Sequence, residues 1–200
     1  TEIYTGCRSS AASDVYKRQV QGGGVVGPAA GFAIVAAVIG AWATGRFPHA
    51  MIARCRRVRL VGLGLLVVWA ALPVVLGSLV LMQSLTTSAP QSFVEQVATR
   101  RDGWIRIVLL AVVVAPVLEE LALRGLLYPA LRRWWGPRGA MVATSILFGL
   151  MHVEPPSVWG PLAILGAFFC WTVERTGSVL PAVAGHVAFN GLSVLELLTA

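Results

Sequence analysis

Charge is scarce in this sequence. Of its 200 residues only 12% are charged and 56% are hydrophobic, with a mean hydropathy of +0.75. Soluble domains carry about 25% charged residues, and a chain this apolar cannot hide its hydrophobic surface in a water-soluble globule of this size. The same shortage excludes intrinsic disorder, which needs low hydrophobicity and high net charge. Cysteine is nearly missing: Cys7, Cys55 and Cys170 lie far apart. They give neither a disulfide framework nor metal-ligand spacing, so Cys55 and Cys170 read as packing residues. Lysine occurs once, at Lys17. The net charge of +7 is thus almost wholly Arg. In a chain so apolar it is read beside a bilayer, not beside a nucleic acid.

Residues 1–19 (TEIYTGCRSSAASDVYKRQ) differ in kind from the rest of the chain. They hold the lone Lys, Cys7 and two of the nine acids, Glu2 and Asp14. Their end, D-V-Y-K-R-Q, resembles the frame translation of a transposon-based sequencing adapter, so the segment is set aside as a translation artefact. The gene product is expected to begin near Val20. Beyond residue 19, 13 Arg face 7 acids, a net charge of +6.

What the chain has in abundance is long uncharged runs. A membrane span needs about 20 mostly apolar residues. Val25–Gly45 has 21 without a charge and Leu60–Met82 has 23. Trp104–Leu118 is apolar except for Arg106, and its helix is expected to continue through Glu119 and Glu120. Gly139–Met151 is shorter and ends at His152. Pro155–Val173 has 19 uncharged residues, and Thr176–Leu195 has 20 with one His inside. The runs are continuous rather than alternating, which excludes a β-barrel. The expected fold is all-α: a polytopic transmembrane bundle of about six spans, with residues 20–103 as a two-span N-terminal region and 104–200 as the functional core. Leu126–Trp135 mixes Leu, Tyr and Trp with Arg132 and Arg133, which fits an amphipathic interfacial helix or a plain cytoplasmic loop.

The arginines set the orientation. The loop 46–59 carries Arg46, Arg54, Arg56, Arg57 and Arg59, and the segment 124–138 carries Arg124, Arg132, Arg133 and Arg138. Both are placed in the cytoplasm. Between them, 84–103 offsets Arg100 and Arg101 with Glu95 and Asp102, and 153–158 holds Glu154 without a base. The pattern implies a multi-pass protein of the plasma (inner) membrane with alternating basic and neutral loops.

Ionisable groups within spans are expensive and therefore functional candidates. Here they are Glu119, Glu120, Arg124, His152 and His186, with the amide Asn190, and they fall on three helices of the C-terminal half. Adjacent helical positions differ by about 100°, so the two Glu cannot share a face. Glu120 and Arg124 are i,i+4 and can pair, which leaves Glu119 facing the bundle interior, where it can accept a proton from water. Pro116 is expected to kink this helix and free a carbonyl near the site. Phe148 and His152 share a face, as do His186 and Asn190.

These residues form three motifs: Glu119-Glu120-Leu-Ala-Leu-Arg124, Phe148-Gly-Leu-Met-His152 and His186-Val-Ala-Phe-Asn190. In that order on successive helices they resemble the intramembrane proteases of the CPBP or Abi family, which includes the CAAX prenyl endopeptidase and bacteriocin-processing or immunity proteins. The resemblance covers about residues 110–195. It implies that 104–200 is an intramembrane protease core acting on a membrane-associated or lipidated peptide. In that case Glu119, with His152, activates the attacking water, His186 and Asn190 stabilise the oxyanion, and Glu120 with Arg124 is the supporting pair. The family carries a metalloprotease label, and Glu119, His152 and His186 are the candidate ligands of a divalent ion such as Zn. The histidines lack H-E-x-x-H spacing, however, and a Glu/His-activated water needs no tightly held metal.

Depth poses a difficulty. At about 1.5 Å per residue, Glu119 lies about 22 Å from the outer end of its span and His152 about 20 Å from the inner end of its own. In a core about 30 Å thick the two would miss each other by more than about 10 Å. Two other classes fit the polar residues: a non-catalytic membrane protein such as a bacteriocin self-immunity factor, and a small transporter or proton relay. The second would show inverted repeats and broken helices in both halves, and the sequence has no such repeat.

Overall fold

The uncharged run from Leu60 to Met82 forms most of a 28-residue helix, α1 (Val58–Leu85), with Pro73 inside it. The next helical stretch begins at α2 (Trp104–Leu109) and is interrupted twice by π-helical turns, Leu110–Val114 and Leu121–Leu127, on either side of α3 (Ala115–Glu120). It runs on into α4 (Tyr128–Met151), which contains a sharp break at Gly136. A single 3₁₀ turn, Pro156–Val158, leads into α5 (Trp159–Thr176), and α6 (Leu180–Thr199) closes the order. The computed structural model describes residues 58–85, 104–152 and 156–199, with Ala33, Ala36 and Gly40. The leader 1–19, the expected span Val25–Gly45, the loop 46–59 up to residue 57 and the segment 86–103 lie outside the described residues.

No strand occurs among the described residues, in agreement with the all-α expectation. Two helical stretches, Arg59–Leu85 and Pro156–Thr176, are long and apolar enough to cross a membrane. Large apolar side chains are exposed along α1, α2, α4 and α6, among them Leu66, Trp69, Ile105, Leu147 and Leu195. Water would penalise such a surface, whereas lipid would not.

Two glycine-lined approaches hold the helices together. A Cβ at Gly64 would overlap the Pro181 carbonyl, and one at Gly185 would meet the Gly64 carbonyl at 3.0 Å. Backbones of α1 and α6 therefore touch directly, the close packing that small residues permit between membrane helices. On the other side, a Cβ at Gly149 would overlap the Trp159 carbonyl, which keeps α4 and α5 antiparallel and tight. Cys170 is fully buried there, with Thr144 Oγ1 at 3.2 Å from its sulfur. It is a packing residue, as expected from its isolation in the sequence.

Gly136 turns the chain. Its φ of 68° and ψ of 178° lie in a region essentially restricted to glycine, and Pro137 follows with its preset φ. Arg124 and Phe148 are each twelve positions from this turn, and Glu120 and His152 each sixteen. The guanidinium of Arg124 sits 4.7 Å from the Phe148 ring centroid, which brings the two arms together across the turn. This removes the depth difficulty. Counted from a shared turn at Gly136, rather than from separate ends of two spans, the Glu pair and His152 are level.

Residues 126–135, expected as an interfacial helix or a loop, are helical throughout, the π turn passing directly into α4. Tyr128 points inward and donates to Glu174 Oε2 at 2.8 Å, while Arg132 grips the same carboxylate through Nε at 2.9 Å and Nη2 at 2.7 Å. Burial, and then its bond to Glu174, push the Tyr128 phenol above its usual range. Trp134 and Trp135 point outward, on the same exposed stretch as Arg132 and Arg133.

Candidate active site

Arg124 organises the site. It is wholly buried, and its Nη1 donates to Glu120 Oε1 at 3.0 Å, the i,i+4 pair expected from the spacing. Its Nη2 donates to the Gly166 carbonyl at 3.0 Å. The rings of Phe148 and Phe169 cover the guanidinium, at 4.7 and 5.5 Å from their centroids. Gly166 is small for a reason: a Cβ there would meet Arg124 Nη2 at 3.0 Å and Phe148 at 3.2 Å.

Glu120 Oε1 also accepts from His186 Nδ1 at 3.0 Å. A carboxylate oxygen facing Nδ1 selects the tautomer that carries its proton there, which turns the other ring nitrogen toward Glu119. The separation from His186 Nε2 to Glu119 Oε2 is 3.9 Å. Phe169 stacks on the His186 ring at 5.4 Å, and Phe148 meets it edge-on at 5.2 Å. His186 is thus held at one edge by Glu120 and packed between two aromatic rings. Glu119 faces away from the Glu120–Arg124 pair, as its 100° offset requires, and keeps 20% of its side chain exposed. Its Oε2 has no hydrogen-bond partner among the described residues.

His152 ends α4. Its Nδ1 lies 2.9 Å from the Phe148 carbonyl, and its own carbonyl accepts from Trp159 Nε1 at 2.8 Å. The Phe148 ring packs against His152 at 5.1 Å as well as against His186, so one aromatic separates the two imidazoles. His152 is close enough to act electrostatically on Glu119.

Asn190 is spoken for in part. Its Nδ2 donates to the Ala111 carbonyl at 2.9 Å. In the π turn Leu110–Val114 the Ala115 N–H reaches Leu110 O, five residues back. The next such bond would run from residue 116 to Ala111, but residue 116 is proline and has no N–H. Asn190 supplies the missing donor. The carbonyl freed by Pro116 is therefore real, and the last helix satisfies it.

All six residues singled out in the sequence thus lie on or beside one network. Gly166, Phe169, Trp159 and Ala111 complete it without having been singled out. Nothing marked the first three, since a small residue and apolar rings look like ordinary span material, whereas Ala111 holds the carbonyl that Pro116 was expected to free. A bound Zn would need a converging donor set. Among the described residues no three of His, Cys, Asp and Glu converge as ligands. Glu120 already takes one nitrogen of His186. The residues as arranged do not fit a three-ligand Zn site.

An all-helical membrane protein with a buried Glu–His–Arg network has the ingredients of a hydrolase that works within the bilayer. Residues 101–192 match the model of the Rce1-like family, described as type II CAAX prenyl endopeptidase Rce1-like. The resemblance of the three motifs to the CAAX proteases is thereby shown over that stretch, which contains every candidate residue. No curated protein and no solved structure matches the chain.

Proposed function

We propose that the protein is a multi-pass intramembrane endopeptidase, cleaving a peptide bond of a membrane-associated or lipidated substrate with a water activated by Glu119. One observation carries this reading: a buried, unpartnered carboxylate oxygen of Glu119 stops 3.9 Å from the free nitrogen of a rigidly held His186. The gap is too long for a direct hydrogen bond and suits one bridging water. With Nδ1–H donated to Glu120, the neutral His186 ring offers the Nε2 lone pair to that water. One water hydrogen points to His186 and the other to Glu119, which takes it as the oxygen attacks the scissile carbonyl and later returns it to the leaving amine. The family resemblance assigns His186 to the oxyanion, whereas the Glu120 contact favours a role in orienting the water. Asn190 keeps one amide N–H for the oxyanion after serving Ala111. His152, on the far side of Phe148, presents a second imidazole beside the same pocket.

The test uses the full chain reconstituted in liposomes with two membrane-tethered peptides, one prenylated at a C-terminal C-a-a-X sequence and one held by an unrelated anchor. Glu119→Gln is expected to lower cleavage by at least about 100-fold, the usual scale for losing a general base, and His186→Gln by a similar factor. The two peptides report which anchor is accepted. Equal cleavage of both by wild type and variants would overturn the assignment.

A further inference from the structure

The outer faces of α1 and α5 enclose an apolar groove of about 470 Å³, lined by Leu66, Val67, Ala70, Ala167, Phe168 and Trp171. It lies behind the site, because the neighbouring residues Val68 and Phe169 turn inward, against Gly185 and His186. What gives the groove chemical character is its end. On α1, Arg59 precedes Leu66 by seven residues and Ala70 by eleven, which puts it on the same helical face. On α5, Arg175 follows Trp171 by four residues and Phe168 by seven, again on one face. The two helices are antiparallel about the groove, so both arginines extend its walls at the same end. Arg175 lies over the Trp171 ring, 5.5 Å from its centroid. Neither arginine has an ion-pair partner among the described residues. The nearest acid in sequence to Arg175, Glu174, is held by Arg132 and Tyr128 instead.

We infer that this groove is a binding site for one anionic phospholipid. An acyl chain lies along Leu66, Ala70 and Phe168, with Trp171 at the level of the glycerol. The phosphate and its anionic headgroup sit between Arg59 and Arg175. About 10 Å of helix separates Arg59 from Leu66 and about 6 Å separates Arg175 from Trp171, distances that a flexible Arg covers by snorkelling toward the headgroup. A zwitterionic lipid would fill the groove equally well but would not neutralise the pair of cations. The preference for negative charge is therefore the signature of the site. The inference stands on the groove and the arginines, and does not depend on the protease reading.

The experiment uses the full chain in nanodiscs of phosphatidylcholine and phosphatidylglycerol, with the lipid retained after detergent extraction counted by native mass spectrometry. Wild type is expected to keep one phosphatidylglycerol per chain in preference to phosphatidylcholine. Arg59→Gln and Arg175→Gln should each reduce the preference about fivefold, since one arginine near a membrane surface contributes about 1 kcal/mol toward an anionic headgroup. In parallel, phosphatidylglycerol brominated on the acyl chain should quench a component of tryptophan fluorescence that Trp171→Phe removes. Equal retention of the two lipids, or a preference unchanged in the double arginine variant, would overturn the site. An absence of Trp171 quenching would overturn it as well, by showing that a protein segment rather than a lipid fills the groove.

Discussion

Arg124 joins stability to chemistry in a single side chain. A guanidinium with no exposed surface, donating to Glu120 and to the Gly166 carbonyl between two phenylalanine rings, leaves the Glu120 carboxylate uncompensated if it is lost. Breaking a buried ion pair by removing one partner typically destabilises by about 3–5 kcal/mol, so Arg124→Ala should lower the thermal unfolding midpoint in detergent sharply. Arg124→Lys should recover little, because an ammonium cannot serve both acceptors in one plane or stack between the rings. A midpoint close to wild type in the Lys variant would refute the planar role. Gly166→Ala probes the same packing from the other side, with an expected loss of about 1–3 kcal/mol from overpacking. The Glu120–Arg124 half of this arrangement was legible in the sequence, since i,i+4 spacing depends on helix geometry alone. The Gly166 half was not, because a contact between positions 42 apart depends on how two helices cross.

At the scale of elements, the turn at Gly136 and the π turn before Pro116 decide where the side chains arrive. Gly136→Ala forces a side chain into a backbone region nearly closed to L-residues, at about 1–3 kcal/mol. Because the same turn keeps Glu119 level with His152, cleavage should fall further than stability alone explains. The Gly136-Pro137 pair carries a turn signal that a reading by apolar runs does not use. The error in depth came from measuring each span from its apolar boundary, which a bend inside one long helix does not respect. For the π turn, Asn190 and Pro116 can be separated by a double-mutant cycle. Asn190→Ala should destabilise by about 0.6–1.7 kcal/mol, the usual range for such bonds between membrane helices. Adding Pro116→Ala restores a backbone N–H for Ala111 and should recover most of that loss. If cleavage stays low in the restored double variant, Asn190 also serves the oxyanion. If cleavage returns with stability, its role is confined to closing the π turn.

At the scale of the whole molecule, the distribution of charge makes an orientation testable. The composition was enough for the all-α membrane class, because so few charged residues leave long runs that only helices can carry through lipid. It could not show which apolar faces meet protein and which meet lipid. Leu66 and Val68 are equally hydrophobic, yet one is 68% exposed and the other 1%. That division depends on partners such as Gly185, whose missing side chain admits Val68. Orientation, in contrast, depends on arginine counts alone. The positive-inside bias predicts that the Arg132–Arg138 segment is cytoplasmic, and the direction of α1 would then send its Leu85 end to the opposite side. Trp134 and Leu85 are both well exposed, at 84% and 71%. Each can be replaced by Cys in a chain whose Cys7 and Cys55 are changed to Ser, Cys170 being buried. A membrane-impermeant maleimide should then label Trp134→Cys in inverted vesicles but not in intact cells, and Leu85→Cys the other way round. The reverse pattern would invert the molecule. Inversion would also exchange the faces from which the Glu119 pocket is reached, since its Glu120 lies sixteen residues, about 24 Å of helix, from the Gly136 turn.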